Sequence, residues 1–290
     1  MRRFRFGGLL ALAAVMFSSS GLACDGQSAT EKFNGLRPFI ASGAVGFVKK
    51  RLAVDADGAP NSYQVDGKGL SYTCDGVVAI VNGQRSTPVS DPDHWQGHCV
   101  AAWKLARQTG DYSKLAIFGF AKDSNNVPIV QGEGDPLPSL GYISETTMPV
   151  PDGPTGTQRH WVNALEIPFV VLSSSFVNKF DIRQGDVAVV YRPSNDTMAF
   201  AIYADGGGLG EGSVRLHRDL KNNPIVKING VERAKREISG ENILTLVFPG
   251  KGTRASLDLA SWRKEITEIG KAALAEWGGV ARLRSCANAH

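Results

Sequence analysis

Between residues 201 and 214 the chain reads AIYADGGGLGEGSV, so that Asp205 closes a short apolar run and Glu211 follows it across a glycine loop. Two carboxylates on a loop too short to bury them can hydrolyse a glycosidic bond. One carboxyl protonates the leaving oxygen while the other activates water or attacks directly. The glycines at 206, 207, 208, 210 and 212 free the backbone and leave room for a polymer to approach. The same residues also describe a glycine-rich hairpin with two solvated acids, so the decision rests on the segments around them.

Other chemistries find less support. Asp55-Ala56-Asp57-Gly58 begins like a calcium loop but lacks the later oxygen ligands and closing glutamate. His94 and His98 lie four apart beside Cys99, without the glutamate of a His-Glu-x-x-His zinc site. Ser173-Ser174-Ser175 lacks a nucleophile elbow, and there is no phosphate-binding loop or dinucleotide fingerprint. No metal and no organic cofactor is expected.

Residues 1–23 have the form of a secretory signal peptide. Arg2, Arg3 and Arg5 precede an apolar run from Leu9 to Phe17, with Gly21 and Ala23 at the cleavage-defining positions. The run is too short to span a membrane. A secreted or periplasmic protein is expected, and Cys24, directly after the cleavage site, also raises the option of a lipoprotein. Left unmodified, Cys24, Cys74, Cys99 and Cys286 suit two disulfides in an oxidising compartment, with three pairings open.

The formal charge of +4 includes the three leader arginines, so the exported chain is near +1. Residues 52–211 hold 18 acidic against 10 basic side chains, and residues 212–290 hold 14 basic against 8 acidic. An acidic groove drawn from the first segment would attract a polycation. The basic C-terminal segment lacks interleaved aromatics, which argues against nucleic acid as a partner.

The elements that must position these residues are mostly strands. Short apolar runs at Phe47 to Val54, Val77 to Val81, Leu115 to Ala121 and Pro128 to Gln131 are bounded by turn residues. Residues 95–109 read as a helix, and the proline-rich stretch from Gly132 to Gly156 as a long loop. Strands are expected at Ile167 to Leu172, Asp186 to Tyr191 and Met198 to Ala204, with a one-turn connection at Ser173 to Phe180. The glycine loop returns the chain to Val214-Arg215-Leu216, and 221–241 reads as loop before a strand from Ile243 to Phe248 ended by Pro249-Gly250. Trp262, Ile266, Ile269, Ala273 and Trp277 recur at helical spacing, predicting a helix over Ala260 to Gly278 whose tryptophans are core. The domain limits expected are a leader at 1–23, a polar lead-in at 24–44 with room for a short helix, one domain over 45–280, and a tail at 281–290.

A series of motifs in order resembles glycoside hydrolase family 75, the fungal-type chitosanases and their bacterial relatives. They are Val54-Asp55-Ala56-Asp57-Gly58-Ala59-Pro60 with Tyr63 and Gly69-Leu70, then Pro128-Ile129-Val130-Gln131-Gly132 with Asp135-Pro136, Gly141-Tyr142-Ile143-Ser144, Thr146 and Thr147. Ile167-Pro168-Phe169-Val170-Val171-Leu172 and Gly185-Asp186-Val187-Ala188-Val189-Val190 follow. Ala204-Asp205, Gly210-Glu211-Gly212-Ser213, Val247-Phe248-Pro249-Gly250 and Trp277-Gly278-Gly279 complete the series. The chain departs from that family in having only Gly206 to Gly210 between the aspartate and Glu211, and in the segment from 82 to 112.

Over 166–216 a strand, a turn, a Gly-Asp-led strand, a hairpin and a strand ending in aspartate together resemble half of a double-psi β-barrel, so the expected fold is mainly β with a C-terminal helix, a six-stranded double-psi-like β-barrel with an open substrate groove. The family resemblance implies Asp205 and Glu211 as the catalytic pair of an inverting reaction; Glu211 is read as the acid and Asp205 as the base, with the reverse assignment open. Asp55, Asp57, Asp135, Tyr142 and Ser213 are the expected substrate-binding residues, with the three aspartates facing glucosaminyl ammonium groups. The expected protein is a monomeric endo-chitosanase. Hydrolysis of another wall glycan such as peptidoglycan, and non-catalytic carbohydrate binding or wall loosening, are the alternatives.

Overall fold

The computed structural model describes residues 24–289; the signal peptide read at 1–23 lies outside them. The chain begins with β1 (Gln27–Ser28), β2 (Phe39–Ala41) and the long β3 (Ala44–Asp55). An outlying unit follows, with β4 (Val77–Val81), β5 (Gln84–Ser86), α1 (Trp95–Thr109) and β6 (Leu115–Ile117). After the proline-rich loop come β7 (Phe169–Leu172), α2 (Ser174–Phe180), β8 (Asp186–Arg192), β9 (Thr197–Gly206), β10 (Glu211–Ser213) and α3 (Val214–Asp219). The chain ends with β11 (Ile225–Ile228), β12 (Val231–Ala234), β13 (Ile238–Gly252), α4 (Leu259–Trp277) and α5 (Gly279–Ala289).

Six strands close a barrel in the order β3-β10-β7-β9-β8-β13, with β13 pairing back to β3. β3 runs parallel to β10 and β7 parallel to β9, and the other four pairings are antiparallel. The expected mainly β architecture, with a six-stranded barrel and a C-terminal helix, is the architecture found.

Alternation along the strands sends side chains into two apolar clusters, as a two-residue period requires. One joins Phe169, Val171, Val189, Ile202 and Leu246 to Trp262, Ile266 and Leu274 of α4. The other joins Phe47, Val170, Leu172 and Val190 to Phe176 of α2 and Leu216 of α3. Gly270 of α4 lies so close to β9 that a Cβ there would sit 2.4 Å from the Phe200 ring, so the helix packs only because this position lacks a side chain. Both tryptophans of α4 are buried, as its spacing predicts.

Several expectations are corrected. The lead-in holds two short strands, with no helix within residues 24–44. Val214 to Leu216 start a helix because the Ser213 hydroxyl accepts from the Leu216 N–H and caps it. The expected loop at 221–241 contains the β11/β12 hairpin and the first residues of β13. That hairpin turns at Asn229-Gly230, both at positive φ. β13 continues past Pro249, which sits within a register shift between Val247 and Gly252 where a missing N–H costs nothing. The expected tail is helix α5, with Leu283, Cys286 and Ala287 buried.

Two disulfides, Cys24–Cys286 and Cys74–Cys99, use all four cysteines, so the Cys24 sulfur is engaged within the chain. Among the described residues no helix is long and apolar enough to cross a membrane. The Cys24–Cys286 bridge joins residues 262 apart in sequence and ties α5 to the segment just before β1. Its loss is expected to lower the unfolding free energy by about 2–5 kcal/mol. Denaturant unfolding of a Cys24→Ser/Cys286→Ser double variant against the parent measures this.

Candidate active site

The site forms at one end of the barrel, where three irregularities meet. The first is a β-bulge: one step on β7, from Val170 to Val171, is matched on β9 by two, from Tyr203 to Asp205. The extra residue, Ala204, re-aims the side chain that follows, the usual effect of a bulge beside a site. Val171 also pairs with Glu211 of β10, so Asp205 and Glu211 stand on the two strands flanking β7. Two strand spacings separate their Cα atoms by roughly 10 Å.

The second irregularity is the end of β3. Here Asp55 accepts the Asp57 N–H at 2.7 Å and folds the chain into an Asx turn that brings Asp57 back beside it. Asp55 and Asp205 are three strands apart around the wall, yet their carboxylates converge. Asp55, Asp57 and Asp205 each offer an oxygen lying within 4.8 Å of the other two, close enough to oppose one another's ionisation or grip a cation.

The third is the loop from Ser144 to Met148. The Thr147 and Gly206 N–H groups both donate to Asp205 Oδ1 at 2.8 Å, and the Thr147 hydroxyl donates to the Ala204 carbonyl.

These placements make ionisation costly. Asp205 is 7 % exposed, and burial pushes its carboxyl up to about 6 despite the two N–H donors. Asp55 and Asp57 keep some accessible surface but are otherwise enclosed. Both are raised well above the usual aspartate range, by burial first and by neighbouring carboxylates next. The Tyr63 hydroxyl hydrogen-bonds Asp57 and opposes the rise. Burial also raises Glu211, but Lys49 and Arg51 counter it. Lys49 is held there through its ammonium, which donates to the Leu209 carbonyl.

Two buried glutamines brace the loops. The Gln158 amide donates to the Gly58 and Ser144 carbonyls, its oxygen accepts the Ser144 N–H, and its backbone N–H donates to Asp135. The Gln131 amide donates to the Pro60 and Tyr142 carbonyls. Gly58 has φ +79°, and a Cβ there would lie 1.9 Å from the Val162 carbonyl oxygen, so only glycine lets the Asp57 turn dock on this loop. His217 of α3 is fully buried and donates to the Ala53 carbonyl, with its other ring nitrogen facing the Asn222 amide. Burial lowers its pKa to about 4, which keeps the ring neutral where α3 clamps β3 beside Glu211.

Of the expected site residues, the structure brings together Asp55, Asp57, Asp205 and Glu211 and holds the other three elsewhere. Asp135 is buried, with its carboxylate occupied by the Gly132 and Gln158 N–H groups. Tyr142 is 5 % exposed and stacked on Phe120. Ser213 is fully buried, accepting from Phe169 and Leu216 and donating to Ile167. All three are engaged by these contacts and shape the site from behind. His94 and His98 both bond Asp91, and Cys99 lies in a disulfide.

Lys49, Gln158 and His217 join the site without a signal in the sequence. Nothing local marks them, because each acts on a segment about 100 or more residues away. No family model matches the chain, and no curated protein matches it.

Asp205 makes a pH signature. Its folded pKa of about 6 exceeds the ordinary 3.8, so between these values the folded state binds more protons and stability falls as pH rises. Asp205→Asn keeps an acceptor for both N–H groups and removes the buried charge. The variant is expected to be more stable than the parent at pH 8, by on the order of 1–3 kcal/mol, with the advantage vanishing near pH 4. Unfolding curves across that range check it.

Proposed function

We propose that this protein is an endo-acting glycoside hydrolase that cleaves β-1,4 links between glucosamine units of chitosan by inversion. The observation that carries the reading is the convergence of four carboxylates at the barrel end, with Asp205 and Glu211 on the strands flanking Val171. Two strand spacings between the Cα atoms leave room for carboxyl groups about 6.5–9.5 Å apart, with a water between them and the sugar ring. Asp55 and Asp57, close beside Asp205, would also be relieved of mutual repulsion by the ammonium groups of a polyamine.

The environments favour the reverse of the roles read from the sequence. Asp205, buried and raised to about 6, is suited to hold a proton in mild acid and deliver it to the glycosidic oxygen. Glu211, beside Lys49 and Arg51, is better placed to be ionised and take a proton from water. That water attacks the anomeric carbon from the opposite face as the bond to the protonated leaving oxygen breaks. Asp205 then regains a proton through the carboxylates it adjoins, and Glu211 releases its own to solvent. The β link yields an α hemiacetal.

The test is release of reducing ends from highly deacetylated chitosan, with the product anomer read by NMR. Asp205→Asn and Glu211→Gln should each lower kcat by about 10²–10⁴. With Asp205 as acid, activity should decline above about pH 6. Chitosan bound without new reducing ends would make the protein a carbohydrate-binding module. Cleavage of peptidoglycan in place of chitosan would move the substrate to another wall glycan.

A further inference from the structure

The outlying unit carries a cavity of about 580 Å³ that the carboxylate chemistry does not use. One wall is the turn of residues 66–74 and the other is α1, and the Cys74–Cys99 disulfide joins the two. Two aromatic side chains line it, and both are held. The Tyr72 ring lies under the Arg233 guanidinium at 4.2 Å and the Lys235 ammonium at 5.0 Å. Trp103 is fixed by edge contacts to Tyr112, Phe120 and Tyr142 at 5.8–5.9 Å. Rigid aromatic walls that need no ordering on binding suit the apolar faces of a pyranose ring.

The rest of the lining narrows the ligand. Val100, 57 % exposed, offers an apolar contact, and Gln96 offers an amide donor and acceptor. Lys104 and Arg107 stand at the same wall, and Arg107 is anchored by a 2.8 Å bond to the Val65 carbonyl. The lining sets these two cations against one acid, Asp66, which Lys68 already pairs at 3.1 Å, so the balance disfavours a glucosaminyl ammonium, whereas an acetamido group is neutral and brings both a methyl and an amide. The cavity also adjoins the carboxylate site through one short turn. Tyr72 and Thr73 line the cavity, while three residues on Gly76 lies against Tyr63, the partner of Asp57.

We infer that this cavity is a second saccharide site that takes an N-acetylglucosamine unit, so that the protein engages acetylated units here and deacetylated units at the carboxylates. The assignment of deacetylated units rests on the function proposed above; the cavity's own preference does not. A partially acetylated chain would then be bound in a defined register.

The test uses the fully acetylated and fully deacetylated glucosamine tetramers as probes, with binding followed by calorimetry and by NMR of the Trp103 indole and Gln96 amide. The acetylated tetramer is expected to bind and to shift both signals, and the deacetylated tetramer to leave them unmoved. Val100→Arg, at an exposed position, should weaken acetylated-tetramer binding by about ten-fold or more while chitosan hydrolysis stays within about two-fold. Tyr72→Ala serves as a second variant should the first fold poorly. Absence of shifts at Trp103 and Gln96, equal response to both tetramers, or binding indifferent to both variants would overturn the inference. Shifts that persist in a protein that does not cleave chitosan would support the cavity and refute the proposed hydrolase alone.

Discussion

Three carboxylates kept within 4.8 Å of one another are the constraint around which this end of the barrel is built. In water each would ionise and the group would repel itself apart. Enclosure makes ionisation more costly, so the cluster retains protons into the range where an acid catalyst is useful. Backbone N–H groups of Asp57, Thr147 and Gly206 supply the opposing dipoles that keep the arrangement from being pushed open.

Holding such a group requires stiffness behind it. The barrel supplies this on one side, since Asp205 and Glu211 are tied through Val171 to strands whose side chains are buried on both faces. On the other side the long loop would be mobile if judged by its prolines and glycines. Instead Gln158 and Gln131 satisfy its buried carbonyls and N–H groups, which would otherwise cost about 1–3 kcal/mol each. Gly58 then lets the Asp57 turn lie directly on that loop. Asp135, Tyr142 and Ser213 belong to this support, which explains why residues that look functional in a motif end up facing inward.

Much of the fold was legible from residue patterns. The helix at 95–109 and the strand from Val77 to Val81 are found at their expected limits, and the apolar stripe of α4 marks its buried face. Errors cluster where pairing partners are distant or turns are local exceptions. β1 and β2 are too short and mixed to show a period, and exist because β3 offers an edge. The β11/β12 hairpin had its Asn229-Gly230 signal but lacked strong alternation. β13 outlasts Pro249 because the register shift there makes no use of a proline N–H.

Residue identities alone establish the kinds of chemistry present: two acids about a glycine loop, an Asp-Ala-Asp-Gly turn, four cysteines and an acidic first segment. Those are local or compositional properties, readable without knowing what lies across the chain. It takes the folded chain to bring Asp55 and Asp57 to Asp205, to turn Asp205 into position with a bulge, and to set Lys49 and Arg51 by Glu211. The fold also decides which cysteines pair and which acids are buried. The reason is that carboxyl acidity depends on dielectric surroundings and near charges, and here both come from segments about 60 to 160 residues apart, brought together only when the barrel closes.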